Sequence, residues 1–146
     1  MSTIVRFRNP SSVEFIQTMN ELTSHTSFYL DRLPKSTKFT WQIKLVGLVQ
    51  DAFIDVNRAN AIKITTQKDY EERRLILQRV LECLASLDCF LSVLAQNDNY
   101  YAMITRDSEN DYPWQHWGDL IDKEAKLIKG VLKKDKGLLE KLLSSQ

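Results

Sequence analysis

Glycine and proline are scarce in this chain, four and three in 146 residues. So few breaking points argue against a many-turned sheet protein and favour long helices. Histidine is scarcer still, with only His25 and His116. Neither stands three residues after a glutamate, so the paired Glu-x-x-His of di-iron bundles is missing, and without a Cys-x-x-Cys pair or clustered histidines a zinc site has no support. The few glycines form neither Gly-x-Ser-x-Gly nor a phosphate-cradling loop. An RNA-cleaving Arg and His pair finds only Arg106 and His116, with nine residues between them across an expected loop. The sequence therefore predicts neither enzyme activity nor a cofactor or metal.

Cysteine is limited to Cys83 and Cys89. On one helix that spacing separates them by about 9 Å along the axis and turns them to different faces, so they cannot bridge each other. Both read as buried structural thiols of a reducing compartment. The first ten residues hold no apolar run of signal-peptide length, and no 18-residue apolar stretch occurs. The expectation is a cytoplasmic protein with no membrane partner. Net charge is +1, which excludes a uniformly basic nucleic-acid binder but leaves room for segregated charge.

What is present is apolar material, 43% of the chain, enough for one core and one domain over 1–146. It is sorted with helical period. In 41–60 Trp41, Leu45, Leu48, Ala52, Val56 and Ala59 step by four and three, and Val46, Val49 and Phe53 widen the stripe, so this segment is expected to be the central element. Residues 1–10 read as an arm. Ser11 and Glu14 have capping-box spacing, and Phe15, Met19, Leu22, Thr26, Tyr29 and Leu33 carry a first helix over about 12–32 that stops before Pro34. A second is expected over about 38–62. Thr65 or Thr66 can cap a third, aided by Asp69, and Leu77, Val80, Leu84, Leu87, Leu91 and Leu94 mark its buried side. Residues 97–112 break the pattern and read as a loop with one short helical turn around 100–104. Pro113 then opens a fourth long helix, capped by Asp111, with Trp114, Trp117, Ile121, Glu124, Ile128 and Val131 in step. The Leu-rich 135–146 is expected to be a short tail after Gly137. Short connections then give an all-α fold, an antiparallel up-down-up-down four-helix bundle.

Charge is unevenly distributed. Over 32–50 there are four basic residues, Arg32, Lys35, Lys38 and Lys44, and no acid. Over 123–141 seven lysines face three acids, whereas 98–122 holds six acids and only Arg106. Arg32, Lys35, Lys38 and Lys44 at the first corner, with Lys129, Lys133 and Lys134 late in the last helix, are therefore the candidate nucleic-acid contacts, forming a basic surface for phosphates. The alternative for these lysines is a solvated face favoured by the helix macrodipole. Arg58, Lys63, Arg73, Arg74 and Arg79 are interleaved with acids and read as surface ion pairs. Glu124, Asn60 and Asp88 fall on or beside apolar stripes, and edge placement is expected of each; otherwise a partner or a subunit interface must satisfy them. Trp114, Trp117 and Tyr112 read as core and lid rather than a base-stacking platform.

Leu33-Pro34 with the basic residues after it, DAFIDVNRAN, RRLILQRVLECLASLDCFLSVL and LIKGVL together resemble the four-helix-bundle family of the accessory variability determinant (Avd) of diversity-generating retroelements and the 23S rRNA intervening-sequence proteins. The resemblance covers about residues 12–134, and Gly130 matches a glycine near the end of the last helix. It implies a non-enzymatic homo-oligomer, commonly a pentamer, whose basic surfaces bind RNA or DNA and which partners a reverse transcriptase. The other reading is a protein–protein interaction bundle that binds no nucleic acid.

Overall fold

A computed structural model describes residues 13–145. Their regular structure is all helical, without a strand among the described residues: α1 (Glu14–Leu30), α2 (Ile43–Ala61), α3 (Gln67–Ala95), α4 (Asp98–Thr105) and α5 (Tyr112–Ser144), with a 3-10 turn (Lys35–Thr37) and a π turn (Lys38–Gln42) ahead of α2. The expected arm and Ser11 of the expected capping box lie outside the described residues. No helix of the described residues is long and apolar enough to cross a membrane.

Two of the helices, α3 and α4, start where side chains give their first amides partners. At α3 Thr66 Oγ1 accepts from Asp69 N at 3.2 Å, and Asp69 Oδ2 accepts from Thr66 N and Thr65 N, both at 3.1 Å. That box is tighter than the sequence suggested, because Asp69 contributes hydrogen bonds as well as charge. α4 is capped by Asn97, whose side chain accepts from Tyr100 N at 3.1 Å. It is eight residues long and not a single turn. At α5 Asp111 occupies the cap position without a side-chain capping bond, and Pro113 stands in the first turn. The helix then runs unbroken through Gly137 to Ser144, so the expected separate tail is part of α5.

Packing follows the predicted stripes. α1 lies against α2 and α5, and α3 lies against α2 and α5, and their buried apolar residues belong to one core cluster. Leu45, Val49, Ala52, Val56 and Ala59 of α2 are buried, as are Leu77, Val80, Leu84, Leu87, Leu91 and Leu94 of α3. Phe53 lies at the edge of the α2 stripe, 36% exposed. Asn60 and Asp88 are exposed, at stripe edges as expected, but Glu124 is at 0% exposure, in the core.

Two long-range contacts fix how α5 lies. Trp117 Nε1 donates to Thr26 Oγ1 at 2.9 Å, joining the start of α5 to the end of α1. Arg73 Nε donates to Asp135 Oδ2 at 2.7 Å, joining the late part of α5 to the start of α3. The same guanidinium donates to the carbonyls of Ala59 and Ile62 at the end of α2, where Ala59 O also accepts from Ile62 N.

Candidate nucleic-acid interface

The first corner is rigid beneath and charged above. After α1, Leu33 and Thr37 turn inward, 5% and 3% exposed. Thr37 Oγ1 donates to Pro34 O at 2.6 Å, and Gln42 Nε2 donates to Pro34 O and to Thr37 Oγ1, both at 3.2 Å. Side chains thus satisfy carbonyls that would otherwise face the turn. The sequence predicts a plain helix from 38, whereas the chain winds first as a 3-10 and then as a π turn, with Ile43 N bonded to Lys38 O. Lys35, Lys38 and Lys44 all project into solvent.

Arg32, expected among the phosphate contacts, is differently engaged. Its Nη1 donates to Ile104 O at 2.8 Å and to Arg106 O at 2.6 Å, the carbonyls at the end of α4. The guanidinium also lies 4.7 Å from the Tyr29 ring centre and 5.4 Å from that of Phe28. Arg32 therefore clamps α4 to α1, and brings the start of the acidic 106–111 loop beside the basic corner. Spacing along the sequence gave no sign of this, since the contact spans 72 residues.

Lys129, Lys133 and Lys134 are exposed as well, but on the later half of α5. They follow Trp117, which is level with the end of α1, by 12 to 17 residues, or about 18 to 26 Å of helix. Asp135 beside them is level with Arg73 and hence with the α2–α3 connection. The single basic surface expected from sequence is thus two separate lysine groups at opposite ends. Lys134 and Lys126 border a groove of about 430 Å³ floored by Phe15, Leu127 and Val131. Among the described residues only Lys123 of the lysines forms an ion pair, at 3.7 Å with Glu14.

The arginines near the α2–α3 connection are mostly in ion pairs, as predicted. Asp55 takes Arg58 at 3.2 Å and Arg79 at 3.3 Å, and Glu71 takes Arg74 at 2.9 Å. Arg73 departs from that pattern, since its bond to Asp135 is largely buried. Between α2 and α3 an outward groove of about 560 Å³ is lined by Leu48, Asp51, Ile54, Arg79, Glu82 and Cys83 among others. Burial pushes the Cys83 thiol above its usual pKa, with Asp51, Asp55 and Glu82 adding to the rise. Neither thiol is fully buried, contrary to the sequence reading: Cys83 is only partly buried, and Cys89 is exposed because residue 89 faces away from the α3 stripe.

Both histidines of the chain meet, which no spacing rule foretold. His25 and His116 have ring centres 4.9 Å apart, with Tyr112 stacked on His116 at 5.2 Å and Tyr29 at 4.6 Å from His25. His25 Nε2 donates to Pro113 O at 2.8 Å. Burial holds the His25 pKa below its usual value; His116 adds to the lowering, while the Pro113 bond and Glu21 oppose it. Among the described residues no three His, Cys, Asp or Glu side chains are grouped to hold a metal ion. Trp117 is core, 1% exposed, and Trp114 is partly buried and stacked on Tyr101 at 5.3 Å, in line with the core-and-lid reading. Tyr112 remains 49% exposed.

Glu124 has neither a hydrogen bond nor a counter-ion within the described core. Burial pushes its carboxyl up to about 8, opposed only by Lys123, so the neutral acid is the form the core accepts near neutral pH. No family model, curated protein or solved structure matches this chain.

Proposed function

We propose that this chain is a non-enzymatic, homo-oligomeric accessory protein of the cytoplasm that binds RNA or DNA and a reverse transcriptase, as its resemblance to the accessory variability determinant family implies. Its four long helices form an antiparallel up-down-up-down bundle, a reading supported by the meetings of Thr26 with Trp117 and of Arg73 with Asp135. A pentamer is the favoured assembly. The observation that carries the nucleic-acid reading is the state of the lysines. Lys35, Lys38, Lys44, Lys129, Lys133 and Lys134 are exposed and, among the described residues, outside ion pairs, while most of the arginines are in them. Unpaired exposed ammonium groups are what phosphate neutralisation needs. Arg32 serves this reading as the clamp that holds the corner.

The test is a filter-binding titration with a mixed-sequence RNA and a DNA of equal length at low and moderate salt. Binding that weakens steeply with salt, and that is lost on changing Lys35 and Lys38 to Glu, is expected; no retention at low salt overturns the proposal. A second reading, a bundle that contacts only proteins, is favoured by Ile43, Ile54, Leu75, Phe90 and Val93, all exposed on α2 and α3. It predicts normal assembled mass in solution with no nucleic acid retained.

A further inference from the structure

Phe39 is 78% exposed, the most open of the large apolar side chains among the described residues. Single exposed apolar residues are ordinary, and by itself Phe39 would carry no meaning. Its setting is what matters. It sits in the π turn, between Lys38 and Lys44, in the acid-free interval 32–50. The turn that presents it is held from below by Gln42, Thr37 and buried Leu33, so an exposed ring is displayed on a fixed backbone. A second open ring, Phe28 at 60% exposure, lies in the last turn of α1 at the same end of the molecule, with Arg32 over it.

Duplex nucleic acid offers phosphates on its outside and keeps its base faces stacked inside, so an open phenyl ring reaches them only by wedging between base steps at an unstacking cost. Unpaired strands offer both charge and base faces, and proteins that hold them combine lysines with aromatic side chains on which bases stack. We infer that the α1–α2 corner is a binding platform for single-stranded nucleic acid, with bases stacking on Phe39 and Phe28 and phosphates meeting Lys35, Lys38 and Lys44. This rests on the nucleic-acid reading above and narrows it to unpaired strands at one end of the molecule. The lysines at the other end have no such ring beside them in α5, where 126–136 contains no aromatic residue.

Fluorescence anisotropy with a labelled 15-nucleotide single strand, as RNA and as DNA, and with the matching DNA duplex, tests the inference on the full chain at low salt. Single strands are expected to bind at least about tenfold more tightly than duplex. Phe39→Leu, which keeps apolar bulk and removes the ring, is expected to lower single-strand affinity about tenfold and leave duplex affinity unchanged. Phe39→Trp is expected to preserve it. Lys38→Glu is expected to weaken both forms, and helical circular dichroism checks that each variant is folded. Similar affinity for RNA and DNA strands supports stacking, because base faces and phosphates are common to both; a tenfold demand for ribose overturns it. Single-strand binding unchanged by Phe39→Leu, or a preference for duplex, overturns the platform while leaving the broader nucleic-acid reading intact. Absence of binding to every probe overturns both.

Discussion

Arg73 Nε meets Asp135 Oδ2 at 2.7 Å, with only 14% and 6% of the two side chains exposed. The pair joins α3 to α5, and through the carbonyls of Ala59 and Ile62 it reaches α2 as well. One guanidinium therefore holds three helices at the end of the molecule away from the first corner.

Removing one member of such a pair strands the other in a poorly solvated place. Arg73→Ala is expected to destabilise the fold by about 3 kcal/mol, measured by urea unfolding. The double variant with Asp135→Ala should recover part of that loss. If the double variant is the sum of the singles, the two residues are not coupled.

Glu124 predicts a pH dependence of the opposite sense to that of an ion-paired carboxylate. Unfolded, it ionises near 4.5; folded, it keeps its proton to about 8. Between those values folding takes up a proton, so this group's contribution to stability falls as pH rises, by about 1.4 kcal/mol per pH unit, and levels off above 8. Glu124→Leu should remove that slope, and its advantage over the parent should be larger at pH 8 than at pH 5. An unaltered slope in unfolding titrations of the variant would place its origin elsewhere.

Thr26 Oγ1 donates to Leu22 O at 2.7 Å and accepts from Trp117 Nε1, a buried donor that needs an acceptor. Thr26→Val keeps the shape and leaves the indole N–H unpaired, at an expected cost of about 1 to 2 kcal/mol. Thr26→Ser, which keeps the hydroxyl, should lose less, and equal losses in thermal unfolding would count against the hydrogen bond.

The two thiols should separate kinetically. Cys89 is exposed, whereas Cys83 is partly buried and its pKa is raised by that burial and by its acidic neighbours. Alkylation at pH 8 should show one fast and one slow equivalent, with the fast phase abolished in Cys89→Ser. A single phase for both, or a fast phase that survives the substitution, contradicts this assignment.

Local regularities carried most of the fold. The alternating steps of three and four named every buried residue of α2, six of eight in α3 and four of seven in α5, because a helix has one period and a core has one side. Thr66 and Asp69 marked a helix start that the structure realises. What sequence could not supply were meetings between distant positions. Arg32 with Ile104 O, His25 with His116 and Arg73 with Asp135 depend on how finished helices lie together, and nothing in their neighbours foretells them. Glu124 is a different case: its position in the stripe pointed inward, but charge argued for the edge, and the proton that resolves the conflict is invisible in a sequence. Within the candidate interface, the lysines were legible as an interval without acids, whereas their division between two ends of the molecule was not.

The π turn at Lys38–Gln42 closes its backbone ring over five residues where an α turn uses four. The loop before α2 thus holds one surplus residue, and deleting a single position there would let the winding tighten to an ordinary turn while Ile43–Ala61 kept its seat on the core. Versions of this chain differing in length by one at that point can share an interior and still show different side chains to the outside.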